Sequence, residues 1–238
     1  MGVSIVIGAT GGIGAALVEQ LAARAEGGPV VALSRRRPET LPQGVSWGPI
    51  DLDDEASILA AAEALDPHVA IDRVLVATGR LQALGRAPEK TWRHLDREGL
   101  LAAFADNAVG PALVAKHFLP RLPRDQRSVF AALSARVGSI GDNRLGGWYG
   151  YRASKAALNQ LIHTLAIELA RQRPQAICVA LHPGTVDTGL SAPFQGGVSA
   201  EKLFSRDLAA TQLLSVLDGL NPADSGGFFA WDGAAIPW

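Results

Sequence analysis

Val3-Ser4-Ile5-Val6-Ile7-Gly8-Ala9-Thr10-Gly11-Gly12-Ile13-Gly14 is the stretch that decides the fold. Its first five residues read as a short buried strand, and Ile13, Leu17 and Leu21 then recur at helical spacing. Between strand and helix, Gly8, Gly12 and Gly14 follow the pattern G-x-x-x-G-x-G. Without side chains they permit a tight turn and let a pyrophosphate approach the backbone at the helix N-terminus. Glycines also mark ordinary turns, so the strand before and the helix after are what make this a dinucleotide-binding signal. Gly8, Thr10, Gly11, Gly12, Ile13 and Gly14 are the candidate phosphate contacts.

The same alternation runs on. Val30–Leu33, Arg73–Ala77, Val129–Leu133 and Ile177–Leu181 are further short apolar runs bounded by turn formers. Gly27-Gly28-Pro29 stops the first helix, and Ala56–Leu65 forms a second before Pro67. One helical stretch is expected over Arg97–Leu122. Another spans Gly150–Arg173, with Leu158, Leu161, Ile162, Leu165 and Leu169 as its apolar stripe and Pro174 closing it. A β-α-β-α rhythm predicts an α/β fold: a doubly wound parallel sheet with helices on both faces. No linker, repeat or low-complexity tract divides the chain, so a single domain over residues 1–238 is expected.

Composition narrows the function classes. Hydrophobic residues make up 48% and charged residues 19%, and the formal net charge is -1. That balance supports a sizeable core and offers no electrostatic reason for a nucleic-acid or anionic-membrane partner. The lone Cys178 excludes an internal disulfide and fits a reducing, cytoplasmic location. Met1–Val18 is apolar and Ala23-Arg24-Ala25 mimics a cleavage site. Yet no Lys or Arg precedes the run and five glycines interrupt it, which argues against a signal peptide. No apolar stretch reaches the roughly 20 residues of a membrane-spanning helix.

The end of the second strand selects between nicotinamide cofactors. A carboxylate there would bind the ribose hydroxyls of NAD(H), whereas arginines accommodate the 2′-phosphate of NADP(H). Here Ser34, Arg35 and Arg36 are followed by Arg37, with no acid, so NADP(H) is favoured over NAD(H). A solvated basic loop is the plainer reading. Asp51, beside Leu52, is placed to meet the adenine amino group if Ile50 ends a third short strand. It could equally cap the helix beginning near Asp54.

Tyr151 and Lys155 stand at i and i+4 on the long helix, one above the other. A tyrosine of pKa about 10 is a poor acid-base catalyst near neutrality, and a neighbouring ammonium lowers that value. By itself a Tyr-x-x-x-Lys pair is common on helix surfaces. Behind a dinucleotide-type opening it becomes much more specific.

With these motifs in this order, the chain resembles the short-chain dehydrogenase/reductase family, in its classical single-domain Rossmann form. Gly138–Tyr149 and the ending Trp231–Trp238 are similar to its C-factor-like group. The resemblance implies hydride transfer between a nicotinamide and a small-molecule carbonyl or alcohol, with Tyr151 as general acid and Lys155 lowering its pKa and binding ribose. It implies that Asn107 supports a water-mediated proton relay. Pro183 and Gly184 open the motif in which Val186 and Thr188 would bind the carboxamide. Family members commonly form homodimers or homotetramers.

Two departures stand out. Val76-Ala77-Thr78-Gly79 replaces the family's Asn-Asn-Ala-Gly, leaving Ala77, Thr78 and Gly79 beside the adenosine half. The usual spacing of the substrate-orienting serine falls on Gly138. Ser134, at the end of its strand and 17 positions before Tyr151, is favoured, with Ser139 as the rival.

Other readings carry less. The five histidines show no metal-ligand spacing, and a structural hydrogen bond is the expectation for His182. Trp148 and Tyr149 are candidates for the pocket wall or a packed loop. Arg136 and Arg144 could attract an anionic substrate, with solvated loop arginines the commoner reading. Gly189–Leu203 is expected to be a flexible lid. A cofactor-binding sensor with little turnover is the alternative function. A sugar-nucleotide epimerase would need a larger substrate domain after Thr188.

Overall fold

The computed structural model describes residues 2–24, 28–197 and 199–238. Part of the expected Gly27 stop signal and Val198 of the expected lid lie outside them. Nine strands are described: β1 (Val3–Ile7), β2 (Val30–Ser34), β3 (Val45–Pro49), β4 (Ile71–Val76), β5 (Ser128–Leu133), β6 (Ala176–His182), β7 (Thr185–Val186), β8 (Leu203–Phe204) and β9 (Phe228–Ala230). The helices are α1 (Gly12–Ala23), α2 (Glu55–Glu63), α3 (Arg97–Phe104), α4 (Gly110–Phe118), α5 (Tyr149–Gln172) and α6 (Arg206–Gly219).

Seven strands form one parallel sheet in the order β3-β2-β1-β4-β5-β6-β9. The order reverses between β1 and β4, which opens a crevice beyond the carboxyl ends of those strands. Alternate residues of each strand feed opposite layers. Val6, Ala32, Leu75, Val129 and Val179 meet α1 and α6 on one face, while Ile5, Leu33, Val74, Phe130 and Cys178 meet α2, α4 and α5 on the other. Burial on both faces explains why the strands read as continuous apolar runs rather than alternating ones. Apolar residues at these positions are fully enclosed, as Ile5, Val6, Ile7 and Phe130 are.

Three sequence expectations change. The stretch Arg97–Leu122 is not one α-helix: α3 and α4 are separated by a π-helical turn, Ala105–Val109, and Leu119–Arg121 tightens to a 3-10 turn. A single-turn π segment of this kind commonly re-aims a side chain at a site, and here it carries Asn107. On α5 the buried stripe runs through Leu158, Ile162, Ala166 and Leu169, while Leu161 is exposed. Finally, Asp51 does not cap α2; Asp54 does, its carboxylate accepting from the Ala56 N–H at 3.0 Å. Among the described residues no helix is long and apolar enough to cross a membrane.

Candidate functional site

At the crevice the glycine turn is shaped by contacts that a side chain would close. A Cβ on Gly14 would lie 2.2 Å from the Gly8 carbonyl oxygen, and one on Gly12 would lie 2.7 Å from Cγ2 of Thr188. Gly8 has φ +87°, a backbone shape that L side chains rarely adopt. No side chain caps α1, and no acid occupies its first turn. Its leading N–H groups are therefore available to an anion.

A cleft of about 1010 Å³ extends from this turn. Gly8, Thr10 and Gly11 line one side, Ser34–Arg36 and Asp51–Leu52 another, and Ala77–Gly79 the floor. Arg35, Arg36 and Arg37 are exposed, and none forms an ion pair among the described residues. Ser34 is turned inward: its hydroxyl donates to the Arg36 carbonyl at 2.7 Å and accepts from Trp47 Nε1 at 3.1 Å. The arginines are the cationic groups at the end of β2, with Glu39, Asp51 and Asp53 also lining the cleft. Thr78 Oγ1 is buried without a protein partner on the cleft floor.

The Gly79 end of the floor meets the N-terminal half of α5. A Cβ on Gly79 would lie 3.3 Å from Lys155 Nζ and 3.6 Å from Asn107 Oδ1. Lys155 is 2% exposed, and its Nζ donates to the Leu133 carbonyl at 2.8 Å and lies 5.8 Å from the centre of the Tyr151 ring. Burial pushes Lys155 down to about 7 and Tyr151 up to about 12. The expected lowering of the Tyr151 pKa by Lys155 is thus not seen: desolvation disfavours both charges, and neither ion is held ready. At neutral pH Tyr151 keeps its proton, while Lys155 stands between its two states.

Asn107 is fully buried and acts as a brace. Its Oδ1 accepts from the Arg80 N–H at 2.8 Å, and its Nδ2 donates to the Arg80 carbonyl at 2.8 Å and to Ser154 Oγ at 3.2 Å. Ser154 in turn donates to the Tyr151 carbonyl at 3.0 Å. The amide joins the loop after β4 to the turn of α5 that carries the tyrosine.

Neither candidate serine bonds to Tyr151. Ser134 donates to Asn159 Oδ1 at 2.6 Å, and Ser139 donates to the Pro237 carbonyl. The glycine at 138 has a plain cause: a Cβ there would lie 2.8 Å from Cβ and the carbonyl carbon of Lys155. The loop after β5 therefore lies directly on α5 at the usual serine position. On the far side of the cleft, Pro183 precedes Gly184, whose φ of +79° and contact with the Phe204 ring exclude a side chain. Val186 pairs with Phe204 in the small β7–β8 sheet, and Thr188 closes against Gly12. The expected lid is not featureless: Ala192–Gly197 and Ala200–Lys202 are 3-10 turns, held between β7 and β8.

Sequence reasoning missed Ser154 and Asn159, although both are polar interruptions of an otherwise apolar helix face. Arg80, Glu89, Arg152 and Phe194 carried no comparable signal. Arg136 pairs with Asp142, and Arg144 donates to the Gly141 and Asn143 carbonyls, so both expected anion attractors have local partners. His182 Nδ1 is buried without a partner, contrary to the expected structural hydrogen bond.

The match to the short chain dehydrogenase family model extends over residues 2–197. The chain belongs to that family. Among its relatives, C-signal of Myxococcus xanthus is 35% identical over 145 residues, covering 60% of this chain and 81% of that protein. An uncharacterised oxidoreductase of Schizosaccharomyces pombe is 28% identical and covers 99% of this chain and 98% of its own. Among solved structures, the NADPH-bound carbonyl reductase from chicken fatty liver superposes with a TM-score of 0.85 at 27% identity, covering 100% of this chain and 98% of that one. An oxidoreductase of this family, with a nicotinamide cofactor and a small-molecule substrate, is the activity these likenesses support.

Two predictions follow from the geometry. Ser134→Ala removes a buried donor and leaves both polar atoms of the Asn159 amide unpaired, so urea unfolding is expected to show a loss of about 1–3 kcal/mol. A change within 0.3 kcal/mol would show that the bond carries no net stability. Burial, reinforced by Arg136, holds His182 down at about 4. The unfolded chain then binds the additional proton below about 6.5. Stability rises with pH between about 4 and 6.5 and is flat above. His182→Phe is expected to flatten that rise in the midpoint of thermal unfolding, and an unchanged slope would contradict the assignment.

Proposed function

We propose that this short-chain dehydrogenase is an NADP(H)-dependent carbonyl reductase in which Tyr151 protonates the substrate oxygen. The observation that carries the reading is the junction at Gly79, at the end of the cleft floor, where a Cβ would lie only 3.3 Å from the Lys155 amine. The cleft's shape and chemistry fit the cofactor: an uncapped helix N-terminus, an unpartnered Thr78 hydroxyl, and unpaired arginines at the second strand's end. When bound, the nicotinamide supplies the hydride.

The chain's own residues would do the rest. Gly8, Thr10, Gly11, Gly12, Ile13 and Gly14 form the turn that cradles the pyrophosphate. Arg35 and Arg36 face the 2′-phosphate, with Ser34 fixing their loop, and Asp51 and Leu52 flank adenine. Ala77, Thr78 and Gly79 give close approach to the adenosine ribose. Pro183, Gly184, Val186 and Thr188 hold the carboxamide side. Tyr151, protonated at neutral pH, donates its phenolic proton to the carbonyl oxygen as it becomes an alkoxide. In its charged form Lys155 would lower the Tyr151 pKa toward the working range and could hold the nicotinamide ribose. Asn107 serves by bracing the loop and helix that meet at this point. Ser134 holds Asn159, and Ser139 holds the Pro237 carbonyl. The similarity to C-signal favours a second reading, a cofactor-binding sensor with little turnover.

The test is NADPH oxidation across aldehydes, ketones and quinones, with NADH in parallel. Wild type is expected to turn over carbonyls with NADPH preferred, and Tyr151→Phe to lower kcat by about 10²–10⁴-fold with NADPH binding retained. The double variant Arg35→Ala, Arg36→Ala is expected to erode the NADPH preference by roughly tenfold or more. Equal turnover by Tyr151→Phe would remove the proton-donor role. Bound NADPH without turnover of any carbonyl would establish the sensor reading.

A further inference from the structure

The turn entering α5 holds a tryptophan in a conformation that tryptophan rarely adopts. Trp148 has φ +52° and follows Gly146 and Gly147, whose φ values are +63° and +66°. Three successive left-handed residues are unusual, and only the first two are glycines. The surrounding structure imposes the third. The Trp148 N–H donates to the Glu89 carbonyl at 2.5 Å, and the Glu89 carboxylate accepts from the Gly150 N–H at 3.1 Å. Arg152 Nε donates to the Gly147 carbonyl at 2.9 Å and the Gly146 carbonyl at 3.2 Å, while its Nη1 reaches the Val137 carbonyl at 3.3 Å.

This hold aims an indole that is not needed for the core. Trp148 is partly exposed and meets Tyr151 edge-on at 6.4 Å between ring centres, and Phe194 at 5.4 Å. Phe194 lies on the segment between β7 and β8, so the indole bridges the reacting tyrosine and the flap opposite it. Neither neighbour stacks flat on it, since the interplanar angles are 70° and 68°. Three arginines near Trp148 have local partners: Arg136 and Arg144 of the loop before it bind Asp142 and backbone carbonyls respectively, and Arg152 of α5 binds backbone carbonyls. Beside Phe194, Gln195 donates to Asp187 and Ser191. The wall itself, Trp148 with Phe194, is aromatic and carries no charge, and the three arginines near it are engaged locally.

The geometry points to Trp148 as the specificity-determining residue of this site, forming with Phe194 an aromatic wall that takes an uncharged aryl carbonyl compound. This rests on the reductase reading and adds the substrate class to it. The strained backbone at 148 is the cost of presenting that ring beside Tyr151.

The test compares kcat/KM for benzaldehyde, butanal and the carboxylate-bearing succinic semialdehyde in wild type and four variants. Wild type is expected to prefer benzaldehyde. Trp148→Ala should lower the benzaldehyde-to-butanal ratio about tenfold, Phe194→Ala should lower it less, and Trp148→Phe should restore most of it. Trp148→Gly relieves the left-handed backbone. It is expected to melt no lower than wild type while losing the preference, which separates recognition from folding. An unchanged ratio in both Trp148→Ala and Trp148→Gly, or a wild-type preference for the carboxylate, would overturn the assignment. Should no aldehyde be reduced although NADPH binds, the reductase reading fails. Calorimetric titration with benzamide then decides the wall separately: binding weakened by Trp148→Ala supports it, and no binding, or binding unchanged by the variant, overturns it.

Discussion

The seating of α5 on the carboxyl ends of β4 and β5 is the constraint from which the rest of the site follows. Lys155 is nearly fully buried, and its amine is anchored to the Leu133 carbonyl. Helix and strand loops approach so closely there that residues 79 and 138 have no room for larger side chains without displacing the lysine. Desolvation in this contact pulls the amine down to about 7 and leaves the neighbouring phenol at about 12. The same contact thus fixes where the nucleotide cleft ends and which protons are available there.

Polar groups on a buried helix face are expensive unless paired. The N-terminal half of α5 meets much of that demand with Ser154 bonded to Asn107 and the Asn159 carbonyl oxygen to Ser134, and the C-terminal half needs no such pairing because Ile162, Ala166 and Leu169 are apolar. One face therefore changes from site to core along its length. Asn107 can reach Ser154 from a π-helical turn, where the regular hydrogen-bond ladder between α3 and α4 is interrupted. The tail contributes from the opposite direction: the Pro237 carbonyl accepts from Ser139, and the Trp238 carbonyl accepts from the Gly141 N–H at 2.7 Å.

Much of this was legible from residues alone, for physical reasons. Parallel strands enclosed on both faces leave continuous apolar runs, so five of the seven strands of the main sheet were readable, while a sixth, considered only on condition that Ile50 ended it, ends at Pro49. β9 was not, because three residues amid glycines and aromatics carry no periodicity. The glycine turn was readable since its spacing and flanking elements are local. The break at Ala105–Val109 was hidden because no local pattern marks a π-helical turn, and its one fully buried polar side chain, Asn107, finds its partners far along the chain at Arg80 and Ser154. Strand position correctly brings Ser134 to the sheet's end, yet its hydroxyl turns to Asn159, a residue 25 positions away. Trp148 could be flagged as a candidate, but its left-handed backbone and its contact with Phe194 exist only once Glu89 and Arg152 have come together around it.

The most direct test of the account follows the hydrogen. NADPH deuterated at both C4 positions of the nicotinamide ring would be incubated with the protein and benzaldehyde, and the product examined by mass spectrometry. The account predicts benzyl alcohol carrying one deuterium on the carbinol carbon, formed by wild type and at most in trace amounts by Tyr151→Phe. Unlabelled alcohol, or tightly bound NADPH with no alcohol from any carbonyl offered, would contradict it.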